Sequence, residues 1–455
     1  MTAAATERDT LEHFRRDFSG VLLVPESADY EEARRVHNGL VDRRPALIAR
    51  CRGTADVASA VRFGQEAGLE LAIRGGGHSV AGLSTIDDGL LIDLSLLKGI
   101  YVDLDARTAR AEPGVTWGEL NREAALFGLA TTGGVVSTTG IAGLTLGGGF
   151  GWLMSAHGLA ADNLLSARVV TAEGEVLTVS EGEHPDLFWA LRGGGGNFGV
   201  VTSLEYRLHP LGEILGGLVA YPLDVATDVL RFLRELSADA PDELGLIGAL
   251  LFAPDGSGTP LVAIAVCHAG EASAAERDLE PLLAFGRPWL TQIARMPYPT
   301  MNTLLDAAYP AGALNYWKSS FLTGLTDGMI ATLVDRFAAA PSQMTQIALE
   351  SFHGCVTRVP VEATAVFHRD PGFNLLITSV WTDPAASDEN VEWTRDLYRA
   401  LEPTLAQRRY ANYLDADDDG AARAAYGVHY ERLGEVKRRY DPDNVFRRNV
   451  NISPA

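Results

Sequence analysis

The chain has 455 residues, a formal net charge of −21, 47% hydrophobic residues and 47 glycines, with a mean hydropathy of +0.04. Such acidity excludes a nucleic-acid or anionic-membrane partner, which needs a basic field, and the length exceeds one compact core, so two domains are expected. Cys51, Cys267 and Cys355 form no disulfide framework or CxxC pair, no apolar run approaches a membrane span, and residues 2–18 read as a polar helix without a signal-peptide core. A soluble, cytoplasmic protein is the expectation. In chain order, residues 54–66 have apolar positions at helical spacing, with Thr54 as N-cap and Gly68 as stop. The apolar run 69–73 reads as a buried strand, as do 90–94 and 167–171. A helix is expected at 117–127, ending at Gly128. Beyond Pro210 the texture changes. Helical stretches at 225–236 and 272–285 alternate with strands at 261–266, 347–352 and 375–381, the pattern of an antiparallel sheet flanked by helices. Asp441-Pro442 stops a last helix. The basic runs Arg43-Arg44 and Lys437-Arg438-Arg439 read as solvated helix faces.

Three glycine-rich loops interrupt the first half. The first, Arg74-Gly75-Gly76-Gly77-His78-Ser79-Val80-Ala81-Gly82, follows the strand at 69–73 and carries one histidine. The second spans residues 140–151, from Gly140 through Gly143, Gly147 and Gly149, and the third is Gly193-Gly194-Gly195-Gly196-Asn197-Phe198-Gly199. Consecutive glycines let backbone approach a ligand, and their free N–H groups form concave anion sites. A long, bent, pyrophosphate-containing cofactor suits three such loops.

In these blocks, together with GLAADNLLSARVVTAEGE and the terminal YDPDNVFRRNVNI, the chain resembles the berberine bridge enzyme-like FAD-linked oxidases of the vanillyl-alcohol oxidase superfamily. The blocks run in that family's order from about Arg50 to the C-terminus. The resemblance implies an α+β, two-domain PCMH-type FAD-binding fold: residues 1–207 bind FAD, 208–409 bind substrate, and 410–455 return to the first domain. It implies FAD attached covalently through His78. Contacts are implied from Arg74, Gly75, Gly76, Gly77, Ser79, Gly82, Ser137, Thr138, Gly140, Gly143, Gly149, Asn163, Asn197, Gly199, Val200, Val201, Asn449 and Asn451. Many relatives add a second link from a cysteine before the second loop. Val136 occupies that position here, so a single attachment is expected. Thr139 matches the position over the reactive flavin face, where a small residue admits oxygen.

Tyr410-Ala411-Asn412-Tyr413 resembles the family's Y-x-N-Y motif, which makes Tyr413 a candidate base. A phenol with an ordinary pKa of about 10 needs a nearby cation or proton acceptor to act at neutral pH. Lys318 is a candidate for the cation. Glu350, on the alternating face of Gln346, Ala348 and Phe352, is a second candidate facing the substrate. The expected reaction removes hydride from a C–H next to a hydroxyl or amine of a small molecule, with molecular oxygen as acceptor and peroxide as product. The competing classes are a flavin dehydrogenase or oxygenating flavoenzyme, and a hydrolase or non-redox binding protein. Sugars and secondary metabolites both remain open as substrates, and so does the oligomeric state. Three look-alike motifs fail in context. Gly194, Gly196 and Gly199 spell G-x-G-x-x-G, but a helix precedes the loop and a strand follows, the reverse of a Rossmann unit. Gly77-His78-Ser79-Val80-Ala81 lacks the last glycine and the following helix of a nucleophile elbow. The acidic run 415–420 opens like a calcium loop but places Tyr426 at the twelfth position, where glutamate is needed. It reads as a solvated loop, with no metal expected.

Overall fold

The computed structural model describes residues 11–322, 324–406, 408–418 and 420–455. Of the expected N-terminal helix, residues 11–17 are helical, and residues 2–10 lie outside the described part. Helix Thr54–Glu66 forms where its periodicity puts it, but Gly53 is the N-cap. Thr54 lies in the first turn and donates its hydroxyl to Thr202 Oγ1 at 3.1 Å. Helix Trp117–Ala125 begins with a reciprocal cap, the Thr116 hydroxyl accepting from Glu119 N and the Glu119 carboxylate from Thr116 N. Such a cap is worth about 1 kcal/mol.

The first half contains two larger sheets and a two-stranded pairing of Leu129–Ala130 with His209–Pro210. Val21–Leu23, Leu47–Arg50, Leu90–Asp93 and Leu71–Arg74 lie side by side in that order, the last three mutually parallel. Ile100–Asp103, Thr108–Ala111, Val200–Arg207, Leu164–Val170 and Val176–Ser180 form an antiparallel sheet of five strands. The largest sheet has seven antiparallel strands ordered Leu290–Met296, Ile214–Pro222, Pro260–His268, Leu244–Phe252, Gln346–Phe352, Gly372–Trp381 and Leu314–Leu322. Its side chains divide by the two-residue period of a strand. Val262, Ile264, Ile347, Leu349 and Leu375 point into a core shared with helices Ala226–Ala238, Ala272–Leu283, Asp327–Phe337 and Ser387–Leu401. Each such side chain contributes about 1.5–3 kcal/mol on burial. The other face carries Ala263, Ala249, Ala348 and Glu350 and looks into a cavity.

After this sheet the chain returns to the first half. Helix Tyr430–Tyr440 shares a core with Pro185–Leu191. Lys437 is not on a solvated face as expected. It is fully buried, and its ammonium donates to Asp441 Oδ2 at 2.6 Å, Asn197 O at 2.6 Å and Phe446 O at 3.1 Å. A buried lysine needs that full set of acceptors, and they fasten the C-terminal segment to the third glycine loop. Arg43 and Arg44 lie outside any helix or strand. Among the described residues no helix is long and apolar enough to cross a membrane.

Candidate active site

The first two glycine loops touch through their backbones. A Cβ on Gly76 would lie 2.5 Å from Gly140 N, and one on Gly140 would lie 2.5 Å from Gly76 N. Neither position admits a side chain, which is the physical reason for glycine there. A Cβ on Gly143 would meet nothing within 4 Å, because that residue borders the cavity. The cavity has about 2210 Å³ free of protein atoms, part of it open to solvent, and runs from the glycine loops to the seven-stranded sheet. Gly75, Gly76, Gly77, His78, Ser79, Thr139, Gly140 and Gly143 line it from the first half, joined by Gly199, Val200, Val201 and Asn449. Ser84 Oγ and Arg448 Nη2, on two further lining residues, are buried without a partner.

Other expected cofactor contacts lie off the wall and brace it. Arg74 is committed to Asp93, 2.7 Å away in a buried ion pair, and to Arg35 O. Gly82 packs against Val41, and Gly149 against Ala160. Asn163 donates to the carbonyls of His157 and Leu159 while its oxygen meets His209. Asn197 donates to Gly194 O and Val450 O and accepts from Ile452 N. Ser137 is held by Asp306 through both its N–H and its hydroxyl. Asn451 Oδ1 is buried and unpartnered. The sequence blocks therefore mix residues that line the cavity with residues that hold the loops in place.

His78 is half-buried. Its Nε2 lies 3.0 Å from Thr138 Oγ1, and its ring stacks on His37 with centroids 4.0 Å apart. Burial, and then the neighbouring His37, push its pKa down to about 3, so the imidazole is neutral at physiological pH. His37 belongs to no motif and escaped the sequence reading. Only its stacking in three dimensions marks it. Val136 lines the cavity where a second linking cysteine would stand, and Cys51, Cys267 and Cys355 are not on the wall.

At the far end the sheet presents a carboxyl-phenol pair. Tyr413 donates its hydroxyl to Glu350 Oε1 at 3.0 Å, and Asn374 Nδ2 donates to Glu350 Oε2 at 2.7 Å. Burial raises the Glu350 pKa to about 7, against the lowering effect of these two hydrogen bonds. Burial and the Glu350 charge raise Tyr413 well above 10. Glu350 is thus the group that can take a proton near neutrality, and Tyr413 is a donor. Trp317 and Tyr309 stand beside them on the wall; neither was singled out from the sequence.

Lys318 is not brought to this pair. The strand period that turns Trp317 toward the cavity turns Lys318 away, where its ammonium meets Asp417 at 2.6 Å and Asp418 at 2.7 Å. The acidic run is only in part the solvated loop expected: Ala416, Asp417 and Gly420 are exposed, but the carboxylates of Asp415, Asp417 and Asp418 are tied to neighbouring groups. Despite partial burial, hydrogen bonds from Lys318, Tyr316 and Arg395 hold Asp417 down at about 2, and Asp415 accepts from Trp317 N at 3.0 Å. Asp419 lies outside the described residues. Tyr426 is buried with its hydroxyl on Val450 O, and no group of side chains able to hold a metal occurs among the described residues. Ser79 Oγ accepts from Leu83 N and closes a turn toward strand Leu90–Asp93, without the helix of a nucleophile elbow.

Known proteins share this family and fold. A family model for the FAD binding domain matches residues 45–180, and one described as berberine and berberine like matches residues 409–453. The chain is 34% identical to (R)-6-hydroxynicotine oxidase of Paenarthrobacter nicotinovorans, covering 96% of this chain and 97% of that protein. It is 32% identical to an FAD-linked oxidoreductase of Dictyostelium discoideum, covering 97% and 96%. The crystal structure of 6-hydroxy-D-nicotine oxidase from Arthrobacter nicotinovorans superposes with a TM-score of 0.87 at 32% identity, covering 96% of this chain and 98% of that one. Berberine bridge enzyme from Eschscholzia californica shares the fold, with a TM-score of 0.88 at 23% identity, covering 98% and 99%.

Proposed function

This chain belongs to the berberine bridge enzyme-like family of FAD-linked oxidoreductases, and we propose that it is an oxidase in which FAD is joined to His78 alone and Glu350 receives the substrate proton. The observation that carries the reading is one continuous cavity with a neutral histidine in a glycine cradle at one end and a buried carboxyl of pKa about 7 at the other.

The residues fit FAD. Gly76 and Gly140 let the two loops cross backbone against backbone while Gly143 opens onto free space, and Ser84 Oγ and Arg448 Nη2 stand buried without partners on the wall. His78, Gly75, Gly76, Gly77, Gly140, Gly143 and Asn449 would hold it. Bound FAD would supply the acceptor for the two electrons of a substrate C–H bond. The remaining work falls to side chains. Glu350, ionised above pH of about 7, accepts the proton from the hydroxyl or amine next to that C–H. Tyr413 and Asn374 hold the carboxylate in place, one on each oxygen. Trp317 and Phe150, edge-on to Tyr413, keep the phenol oriented and water out. Thr139 is small enough to leave a path for molecular oxygen, the proposed final acceptor, with hydrogen peroxide as product. Residues 1–207 with 410–455 would bind the cofactor, and 208–409 the substrate.

The test begins with the visible spectrum of the purified protein, followed by acid precipitation. Yellow retained in the pellet, and released to the supernatant in His78→Ala, is the expected result. Yellow released from the unaltered protein rules out the histidyl link. Peroxide formation with substrate separates an oxidase from a dehydrogenase, which would leave oxygen unconsumed.

A further inference from the structure

Glu350 sits beside a surface whose shape the sheet register fixes. Ala249 pairs with Ala263 on one neighbouring strand and with Ala348 on the other, and all three face the cavity. With strands about 4.8 Å apart, the row forms a shelf roughly 10 Å wide covered only by methyl groups. The next row along the strands is Ala265, Ile247 and Glu350, paired in the same way. The carboxyl therefore stands at the shelf's edge. On the opposite edge and the same face is Gln346, four residues from Glu350 and so roughly 13 Å away at about 3.3 Å per residue. Leu376, paired with Ala348, closes one side.

We propose that this shelf seats the body of the substrate, and that the substrate is a flat, uncharged aromatic molecule of two to three fused rings. Its oxidisable carbon lies at the Glu350 end and a hydrogen-bonding group lies at the Gln346 end. The proposal rests on the redox reading above and narrows it. Three adjacent strands bearing alanine leave a level floor, where valine or leucine would fill the space. A ring face laid on methyl groups makes many close dispersion contacts. A sugar laid there would bring hydroxyls out of water onto carbon, with no partner along the shelf between Glu350 and Gln346. A second charge on the substrate would face no counter-charge, because Glu350 is the one ionised group among the described residues of this sheet face.

The probes are benzyl alcohol, 2-naphthalenemethanol, 2-anthracenemethanol and cellobiose, titrated into the purified holoenzyme under argon. Binding is read by thermal shift and by perturbation of the visible spectrum, and oxidation separately by bleaching of the yellow. The dissociation constant is expected to fall at least tenfold from one ring to three, with no shift from cellobiose. Ala348→Leu is expected to weaken the three-ring probe at least tenfold more than the one-ring probe. Ala348→Val gives a smaller version of that effect if the leucine variant does not fold. Tighter binding of cellobiose than of any aromatic probe, no gain with ring number, or an equal loss for all probes in the variant would each overturn the shelf. Bleaching by cellobiose alone would reject the shelf while leaving the oxidase intact. The expected ranking without bleaching would support the shelf and count against the redox reading.

Discussion

At its His78 end the cavity is walled by backbone, and at its Glu350 end by side chains standing on a sheet. Gly76 and Gly140 tolerate no added atom, because two loops cross there with main chain against main chain. The sheet end is built from rows of side chains that can be exchanged without moving the strands. Binding a large fixed cofactor requires shape that does not vary, and backbone supplies it. The proposed proton transfer requires one group of tuned pKa, and a buried carboxyl with two donors fits that need. Lesions at the first end should remove the cofactor, and lesions at the second should leave a yellow but slow protein.

Gly76→Ala tests the first half of that contrast and should have the largest effect. Its Cβ would be 2.5 Å from Gly140 N, overpacking worth about 3 kcal/mol, and the protein should purify without colour. A yellow Gly76→Ala protein would break the comparison. Glu350→Gln should keep the colour and lose about 10²–10⁴-fold in kcat/KM, the range of general-base catalysis. In the unaltered enzyme kcat/KM should fall as pH drops through about 7, because a protonated carboxyl cannot accept the proton. That limb should vanish in the variant.

Lys318→Met sharpens the distinction between catalytic and bracing groups. It leaves Asp417 and Asp418 without their shared cation, a loss of about 2 kcal/mol, lower than for a fully buried pair because Asp417 is partly exposed. Urea denaturation should show the loss while the pH profile stays in place. Unchanged stability with a collapsed kcat would return Lys318 to the catalytic group. Tyr413→Phe should have the smallest effect, about 1 kcal/mol for one hydrogen bond. That bond lowers the Glu350 pKa, so its removal should move the acid limb of the profile to higher pH. Loss of activity at every pH, with no shift of the limb, would make Tyr413 the base instead.

Much of the cofactor end was legible in the sequence because glycine runs have few other uses. The order of the loops, His78 among them and Val136 in place of a cysteine can all be read from adjacent letters. The same letters did not tell that the side chains of Arg74, Asn163 and Asn197 are engaged by protein partners. A polar residue within a binding block can serve the loop as easily as the ligand, and only hydrogen-bond partners tell which. The sheet end was harder. Strand period placed Glu350 on one face with Gln346, Ala348 and Phe352, but could not tell that Lys318 turns away from the cavity to meet Asp417 and Asp418. Tyr413 was visible by its motif, yet its role depends on a carboxyl 63 positions away in sequence.

The sequence by itself determined the elements, the glycine cradle and the family, because local periodicity and backbone freedom are written in neighbouring residues. Tertiary structure alone decided that His37 stacks on His78, that Lys318 and Lys437 are buried clamps, and that Ala263, Ala249 and Ala348 form one surface. Each depends on register or packing between distant segments. Burial there also sets the pKa of Glu350, since desolvation is a property of the surroundings and not of the residue.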